Sequence, residues 1–435
     1  MELLVTPSDN NPEPARLRTL PRRLPLPVGQ PQPGAPLRAR QQRGLLTTSA
    51  LIAMGAMALS GCGGSGGAGG DEGAKDTSGI KIKVSTRDGA VDAGLSAGVS
   101  VSGGKLTDVR LVQVENGATV KGAMAAGGTS WKPSAQLARG TKYKLVANAK
   151  DDKGRTATEH ATFTTVSAQH SFTASYTPDD GRTVGVGMPV SFKFDKSIAD
   201  RKNVQSHITV TSSSGQQVVG HWFGAQRLDF RPQEYWKAGS KVTMKIDLDG
   251  VKGGGNLTGV QSKTVTFTIG RSQVSTVDMH TQTMTVMRDG KTIKSVPISG
   301  GSPKNPTYNG QMVISEKLVQ TRMDGSTVGF SNPGDSYDIP DVPHAMRLSA
   351  SGTFLHGNYW GNPSVFGRTG TSHGCVGLRD NKGGGGETPG KWFFDQSLVG
   401  DVVVVKNSPE QTVKPDNGLN GWNLSWSDWQ AGSAL

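Results

Sequence analysis

The sequence predicts an all-β protein built from several consecutive domains. Its 435 residues are too many for one typical domain, so two to four are expected. Glycine is abundant, with 60 residues, while aromatic residues make up only 6% of the chain, which suits β-rich domains joined by turns better than a helical bundle. From residue 80 onward, short runs alternate apolar with polar side chains, which is the period of a strand with one buried face.

Residues 1–61 are predicted to be a disordered leader that ends in a secretory signal. Residues 1–37 are rich in Pro and Arg and show no apolar periodicity. Three Arg residues then precede an apolar run, 45–59, that is too short and too rich in small residues for a comfortable membrane span. The run leads into Leu-Ser-Gly-Cys62, which resembles the lipobox of bacterial lipoproteins. The resemblance implies cleavage before Cys62 and attachment of a lipid to its sulfur; the alternative is an uncleaved anchor with an incidental cysteine.

The anchor and the charge of the chain together predict its location. Residues 62–79 are rich in Gly and Ser and are predicted to be a flexible tether behind the lipidated Cys62. The formal charge is +12, of which +4 lies in residues 1–61, and the remaining basic excess suits an anionic cell envelope. No basic helix or aromatic–basic interleaving supports nucleic-acid binding. We therefore expect a lipid-anchored protein on the extracytoplasmic face of the cell membrane, at the cell wall.

Two blocks of alternating runs follow, and each is predicted to be an immunoglobulin-like β-sandwich. We call them domain 1, residues 80–166, and domain 2, residues 167–270. Gly, Asn and Asp separate the runs, as expected of short strands joined by turns. The clearest predicted strands are 80–84, 109–114 and 143–149 in domain 1, and 190–194, 241–246 and 265–269 in domain 2. Neither block contains a cluster of catalytic residue types, so both are interpreted as spacers or docking modules.

Domain 3, residues 271–408, is predicted to be a further β-sandwich. Arg288-Asp-Gly-Lys291 has the sequence of a two-residue hairpin turn. Residues 392–395 are expected on a short helix under the site, and 401–405 on a buried strand. Residues 337–348 are predicted to be a Pro-rich connecting loop or lid, which Tyr337 and Met346 could line, with a solvent-exposed His344.

A C-terminal extension, residues 409–435, follows domain 3 and is called the tail. It holds Trp422, Trp426 and Trp429 among Asn, Ser and Gly. Large aromatic side chains are rarely left exposed as a group. We therefore expect the tail to dock on domain 3 and residues 271–435 to fold as one unit.

The residue types that carry chemistry are concentrated in two short stretches, Phe354-Leu-His356-Gly and Ser372-His-Gly-Cys375-Val. Cys375 is the only cysteine besides Cys62. A thiol attacks as the thiolate, and an imidazole within hydrogen-bond reach can take its proton. Most free cysteines are small buried hydrophobes, but Ser, His and Gly neighbours are poor core composition and favour a nucleophile. A glycine before the cysteine permits unusual backbone angles and leaves amides free to face an oxyanion.

Together these stretches resemble the active-site signature of the L,D-transpeptidases, the YkuD-type catalytic domain. The resemblance implies that Cys375 is the nucleophile, His356 the general base and acid, and His373 a supporting imidazole. The backbone amides of Gly374 and Cys375 would form the oxyanion pocket. The residues assigned to substrate binding are Ser351, Gly352, Tyr337, Ser372 and Gly377. Two positions differ from the usual family pattern: Gly377 stands where Asn or Arg is common, and Gly357 where Ser often follows the first His.

The reaction implied by the resemblance is acyl transfer in peptidoglycan. Cys375 attacks the L,D-peptide bond of a donor stem peptide, and an amine of an acceptor stem takes the acyl group to give a 3→3 cross-link. No cofactor is expected, and no metal, since the chain has no metal-ligand spacing. Carbapenem β-lactams are expected to acylate the same cysteine.

Two alternatives remain open from the sequence. A thiol-dependent L,D-carboxypeptidase or hydrolase would use the same residues with water as acceptor. A non-enzymatic cell-wall-binding lipoprotein would fit the two sandwiches and the tail, with Gly377 and Gly357 as signs of lost activity. A papain-like protease is disfavoured because its cysteine precedes its histidine along the chain.

Overall fold

The structure is a computed structural model that describes residues 79–86, 97–332 and 335–435. The predicted leader, Cys62 and nearly all of the tether lie outside the described residues. Within these ranges no helix is long and apolar enough to cross a membrane. Of the residues that the structure describes, 47% lie in strands and 10% in helices, so the predicted all-β class is confirmed.

Domain 1 consists of two packed sheets in its described part. Its elements are β1 (Lys81–Thr86), β2 (Ala97–Ser102), β3 (Lys105–Gln113), β4 (Thr119–Val120), β5 (Gly122–Met124), the 3-10 helix η1 (Ala126–Gly128), β6 (Ser130–Pro133), β7 (Lys142–Lys150) and β8 (Thr156–Thr164). One sheet has the order β1-β2-β6-β5 and the other β4-β3-β7-β8. Leu111, Trp131 and Leu145 are buried in the core cluster of this domain. Alternate residues of β7 are buried, as the period-2 pattern predicts.

Domain 2 also folds as two facing sheets, with a third small sheet at one end. Its elements are β9 (Ser171–Phe172), β10 (Ala174–Thr177), β11 (Thr183–Val184), β12 (Val190–Phe194), α1 (Arg201–Ser206), β13 (Ile208–Ser212), β14 (Val218–Phe223), β15 (Arg227–Pro232), β16 (Lys241–Asp247), β17 (Lys252–Gly254), β18 (Leu257–Gly259) and β19 (Ser262–Ile269). The sheet orders are β10-β12-β15-β14, β11-β19-β16-β13 and β17-β18-β9. Its core cluster also includes Val313 of domain 3 and Trp422 of the tail, so this core is shared across the domains.

Domain 3 is a single nine-stranded sheet, whereas the sequence predicted a sandwich. Its elements are β20 (Gln273–Asp278), β21 (Thr283–Arg288), β22 (Lys291–Ser299), β23 (Gly310–Val313), β24 (Glu316–Asp324), η2 (Gly325–Val328), β25 (Asp338–Arg347), β26 (Phe354–Asn358), η3 (Pro363–Val365), β27 (Val376–Arg379), η4 (Lys382–Gly384), α2 (Pro389–Gln396) and β28 (Val402–Lys406). The strand order is β23-β28-β20-β21-β22-β27-β26-β25-β24. The sheet is continuous because β22 pairs with β21 along most of its length and with β27 at its last two residues.

Both halves of this sheet contribute to one apolar core. Met284 and Val403 from one half and Leu355 and Val376 from the other are fully buried in the same cluster. Phe393 of α2 is also fully buried there, which confirms the predicted helix under the site. The predicted hairpin turn is confirmed as well, since Asp289 and its following Gly both have positive φ between β21 and β22.

The predicted loop at 337–348 is instead a strand. Residues 338–347 form β25 and pair with both β24 and β26. Met346 is fully buried in the core of domain 3 and does not line the site. His344 is 5% exposed, so the expected solvent exposure was wrong. The two prolines of β25 suggested a loop, but Ile339 to Met346 retains strand pairing around them.

Domain 2 and domain 3 are joined by direct backbone and side-chain contacts. The amides of Gly185 and Gly187 donate to the carbonyls of Val399 and Gly400 at 2.8 and 2.9 Å. A Cβ on Gly185 would stand 2.2 Å from the Asp401 amide nitrogen, so this close approach requires glycine. Within domain 3, next to this contact, Arg271 binds both carboxylate oxygens of Asp401 at 2.8 Å.

The tail packs its tryptophans on domain 2, which corrects the expected docking on domain 3 alone. It contains η5 (Gly421–Asn423) and α3 (Trp426–Ala431). The indole N–H of Trp422 donates to the Gly187 carbonyl at 2.7 Å, and that of Trp429 donates to the Val219 carbonyl at 2.9 Å. The Arg231 guanidinium lies 4.6 Å from the Trp422 ring and 4.3 Å from the Trp429 ring.

Asparagines of the tail make its contacts with domain 3. Asn420 donates to the Leu348 carbonyl at 2.9 Å and accepts from the Val313 amide at 3.0 Å. Asn423 exchanges two hydrogen bonds with the backbone of Gln311. The tail therefore ties domain 2 to domain 3, and residues 271–435 alone would leave the tryptophans without their partners.

We expect Trp429→Ala to destabilise the protein strongly. Trp429 is fully buried, and its ring stacks on His221 with centroids 4.8 Å apart. Removing a buried Trp typically lowers the free energy of unfolding by about 3–5 kcal/mol. Chemical denaturation of the variant measures this loss. Val319→Ala is the matched control, because Val319 is 71% exposed and its truncation should change stability by about 0.5 kcal/mol or less. Equal midpoints for Trp429→Ala and the wild type would contradict the tail docking.

Candidate active site

The predicted nucleophile and the predicted base lie at two neighbouring strands near the middle of the domain 3 sheet. His356 is on β26, and Cys375 immediately precedes β27, which runs parallel to it. His356 pairs with Gly377, so Cys375, two residues earlier on its strand, falls on the same face as His356. Both side chains line a cavity of about 150 Å³, together with Tyr337, Ser372 and His373. The structure therefore brings together the cysteine and both histidines that the sequence singled out.

The Cys375 thiol is buried and un-ionised in the resting protein. It is 8% exposed and donates to the Gly352 carbonyl, with Sγ and O 3.6 Å apart. Burial raises the pKa of the thiol to about 11, and a backbone hydrogen bond from Phe354 offsets part of that rise. The thiolate must therefore be generated during the reaction by removal of this proton.

The hydrogen bond that His356 makes with the backbone leaves its other ring nitrogen free to accept a proton. Its Nδ1 lies 3.0 Å from the Gly357 carbonyl oxygen, and since a carbonyl can only accept, Nδ1 carries the hydrogen. Nε2 is then the basic nitrogen. Trp360 stacks on the imidazole, with ring centroids 5.5 Å apart and planes within 8°. Burial lowers the pKa of His356, opposed by its hydrogen bond to Gly357 and by the charge of Asp380, so the resting imidazole is neutral.

His373 contacts side chains that precede β25. Its ring centroid is 4.8 Å from that of Tyr337 and 5.0 Å from that of Phe330. Its Nε2 lies 3.4 Å from an Asp335 carboxylate oxygen. Residues 338–347 form β25, and the lid proposed for 337–348 stays a prediction only for Tyr337, which lines the cavity. The supporting role assigned to His373 also stays a prediction.

Tyr337 separates two cavities. It lines the first with Cys375, and it lines a second cavity of about 250 Å³ with Ser351, Gly352 and Gly374. Burial raises the pKa of Tyr337 to about 12, and the nearby Cys375 contributes to the rise. Its hydroxyl therefore remains a neutral hydrogen-bond donor at the working pH.

The turn that carries Cys375 is held by Ser372. The Ser372 hydroxyl donates to the Cys375 carbonyl at 2.6 Å and accepts from the Gly374 amide at 3.1 Å. Gly374 has φ +110°, which a residue with a side chain rarely adopts. The Gly374 amide would have to leave Ser372 to serve an oxyanion, and its predicted role, like that of the Cys375 amide, remains a prediction.

The predicted substrate residues on the other side of the thiol are fixed by the tail. The Ser351 amide donates to Asn417 Oδ1 at 3.0 Å, and Asn417 Nδ2 donates to the Ser351 hydroxyl at 2.8 Å. Gly352, whose carbonyl accepts from the thiol, has φ +97°, and a Cβ there would stand 2.6 Å from Val328. The position of the thiol's acceptor therefore depends on a residue of the tail.

Several residues of the site were not singled out from the sequence. Asn358 and Trp360 line the first cavity beside His356, and strand alternation from His356 could have found Asn358. A Cβ on Gly377 would stand 3.2 Å from Asn358 Nδ2, so the amide of Asn358 lies over the position where the family commonly has Asn or Arg. Asp380 and His344 form a buried pair, with Nδ1 and Oδ2 2.7 Å apart, and no pattern in the sequence indicates this pair.

We expect alkylation of Cys375 to depend steeply on pH. Because the pKa of the thiol is raised to about 11, the thiolate fraction grows about tenfold per pH unit from 7 to 10. Iodoacetamide labelling of the folded protein, followed by intact mass, should accelerate accordingly. The unfolded protein in urea is the control and should label faster at pH 7, since its thiol has an ordinary pKa. Equal rates for folded and unfolded protein at pH 7 would contradict the buried thiol.

Comparison with known proteins places this site in a family. The L,D-transpeptidase catalytic domain matches residues 272–405, and the bacterial Ig domain matches residues 88–252. L,D-transpeptidase 2 of Mycobacterium tuberculosis is 34% identical over 356 residues, covering 81% of this chain and 85% of that protein. L,D-transpeptidase 5 of the same organism is 28% identical over 326 residues, covering 73% of this chain and 69% of that protein. A solved structure of an L,D-transpeptidase in complex with imipenem covers 54% of this chain and 98% of that chain at 27% identity, with a TM-score of 0.46. Because the first match spans most of both sequences, the chain belongs to the L,D-transpeptidase family.

Proposed function

We propose that this protein is an L,D-transpeptidase that forms 3→3 cross-links between peptidoglycan stem peptides through a Cys375 thioester. The observation that carries the proposal is the placement of Cys375 and His356 on one face of two adjacent parallel strands, lining one cavity. A buried thiol beside a neutral imidazole with a free Nε2 is the arrangement that nucleophilic catalysis needs. Membership of the family supports the same activity.

The first half of the reaction forms the acyl-enzyme. His356 Nε2 accepts the thiol proton as Sγ attacks the carbonyl carbon of the L,D-peptide bond in a donor stem. The tetrahedral intermediate collapses with cleavage of the C–N bond, and the imidazolium returns the proton to the departing amine of the terminal D-amino acid. The acyl group remains on Cys375 as a thioester, and the imidazole is neutral again.

The second half transfers the acyl group to an amine. His356 takes a proton from the attacking amine of an acceptor stem, a new C–N bond replaces the C–S bond, and the proton returns to the Cys375 sulfur. Two substrates must therefore reach one thiol. We assign the donor and acceptor stems to the two cavities that share Tyr337 and His373.

Carbapenem β-lactams are proposed to acylate Cys375 by the same first step. Opening of the strained lactam amide leaves its nitrogen tethered to the acyl group, so no leaving group departs and the adduct adds the whole mass of the inhibitor. The adduct is therefore a direct report on the nucleophile and its base.

Product analysis tests the proposed function. The protein is incubated with a disaccharide-tetrapeptide, and mass spectrometry follows release of the terminal D-amino acid and formation of dimers. A 3→3 dimer supports the proposal. A tripeptide product without any dimer, with an amine acceptor present in excess, overturns it in favour of the hydrolase. No product and no carbapenem adduct overturns it in favour of the wall-binding lipoprotein.

The location is proposed separately, from the sequence of the leader. We propose that the protein is anchored at the extracytoplasmic face of the membrane by a lipid on Cys62, with the basic excess of the remaining chain facing the wall polymers. A single tether then lets the domains reach substrate near the membrane.

We expect Cys62→Ala to abolish metabolic lipid labelling and to release the protein from the membrane fraction. Cys375→Ala is the matched control, because it removes the only other cysteine and should leave labelling unchanged. The measurement is fatty-acid labelling with fractionation of whole cells. Lipid label that persists on the Cys62→Ala protein would contradict lipid attachment at Cys62.

A further inference from the structure

The backbone that orients His356 lies directly against a buried carboxylate. Gly357 supplies the carbonyl that accepts from His356 Nδ1. A Cβ on Gly357 would stand 2.2 Å from Asp380 Oδ2 and 2.7 Å from its Cγ, closer than any real contact. The carboxylate of Asp380 therefore occupies the space that a side chain at position 357 would need, which accounts for glycine at that position.

Asp380 is held in place from three elements. His344 of β25 binds Oδ2 at 2.7 Å, and Thr388, the N-cap of α2, donates to Oδ1 at 2.7 Å. The Asn381 amide donates to Oδ1 at 2.8 Å. The Asp380 side chain is fully buried, and a buried carboxylate is stable only when hydrogen-bonded in this way. His344 adopts φ +52° within a strand, so the fold accepts an unfavourable backbone angle where this contact is made.

Several titratable groups surround Asp380, and its charge acts on two of them. His344 is its direct partner, and Lys391 of α2 has its pKa raised first by a hydrogen bond to Asp395 and further by Asp380. On the third side lies His356, which also shares its cavity with the Cys375 thiol, Tyr337 and His373. The negative charge of Asp380 favours the protonated form of this imidazole against the effect of burial.

We propose that Asp380, held by His344 and Thr388, is a positioning residue for His356 that takes the place of a side chain on residue 357 and supports the imidazolium formed as the Cys375 proton moves. Asp380 keeps its hydrogen bonds throughout, and the only proton transferred is that between sulfur and His356 Nε2. The inference rests on the proposed acyl transfer by Cys375 and His356, and it assigns their third partner to the end of β27 rather than to the residue after the histidine.

Asp380→Asn tests the electrostatic part. The variant keeps the shape of the side chain and removes its charge. Removing the charge that supports the imidazolium predicts slower carbapenem acylation at pH 7, by roughly tenfold. It also predicts that the acid limb of the acylation rate against pH moves to lower pH, because His356 becomes harder to protonate. Asp395→Asn removes a charge from the exposed side of α2 and should leave rate and limb unchanged. If Asp380→Asn has the acylation rate of the wild type and the same acid limb in its pH dependence, the proposal is overturned.

A swap of side chains tests the shared space independently. Gly357→Ser alone should displace Asp380 and reduce acylation severely. Gly357→Ser combined with Asp380→Ala gives the serine room, and the double variant should be more active and more stable than Gly357→Ser alone. If the double variant is neither more active nor more stable than Gly357→Ser alone, the two side chains do not compete for the same space. The wild-type protein distinguishes the two hypotheses. If it forms no carbapenem adduct, the proposed function fails. If it forms the adduct and Asp380→Asn is acylated at the same rate, only the role of Asp380 is ruled out.

Discussion

Replacing Cys375 by alanine should eliminate every covalent carbapenem adduct and all cross-link formation. Cys375 is the only cysteine of the chain besides Cys62, so no second thiol can substitute for it. The nearest hydroxyl on the same turn, that of Ser372, is committed to the Cys375 carbonyl and the Gly374 amide. The expected effect is complete loss, which intact-mass spectrometry of the protein after incubation with a carbapenem measures.

The loss must come from chemistry and not from unfolding. The thiol is a small buried group, and its truncation should lower the free energy of unfolding by about 1 kcal/mol, so the melting temperature stays near that of the wild type. Cys62→Ala is the matched control and should still form the adduct. An adduct on folded Cys375→Ala protein would show that another residue is the nucleophile.

His356→Ala should leave the thiol in place but slow its acylation by about 10²–10⁴-fold, the usual contribution of a positioned base. The reason is the buried thiol, whose raised pKa of about 11 leaves very little thiolate at neutral pH unless a base takes the proton. The measurement is the adduct mass followed over time at neutral pH, with folding checked by circular dichroism.

The two histidines serve as each other's control in this experiment. The ring of His373 contacts those of Tyr337 and Phe330, so His373→Ala should cost less than His356→Ala and should act mainly on the apparent affinity for the inhibitor. If His373→Ala is the slower of the two, the roles of base and supporting imidazole are reversed from the assignment given above.

Local patterns predicted the strands and the catalytic pair because their physical causes are local. Alternation of apolar residues, the Asp-Gly turn between β21 and β22, and a cysteine among Ser, His and Gly are all visible within a few residues of chain. Parallel pairing of β26 with β27 then brings His356 and the thiol to one cavity.

What the sequence did not predict depends on contacts between distant segments. His344 was expected in solvent because Pro flanks it, yet its partner Asp380 lies 36 residues later, and only the folded sheet brings them together. The tryptophans of the tail correctly predicted that the tail is docked, but not the domain on which it docks. Their hydrogen-bond acceptors, the Gly187 and Val219 carbonyls, lie in domain 2, far away along the chain. The single curled sheet likewise follows from the last two residues of β22, which have no distinguishing pattern.

The bond between Asn417 and Ser351 has a consequence for when this protein becomes competent. Chains are synthesised from the N-terminus, and domains fold as they leave the ribosome. Cys375 is therefore made before the asparagine that fixes the segment whose carbonyl accepts its hydrogen bond. A nascent chain that stalls between the two carries the nucleophile without its finished surroundings. A polypeptide that ends before residue 417 therefore holds the thiol without the contact that fixes its acceptor segment.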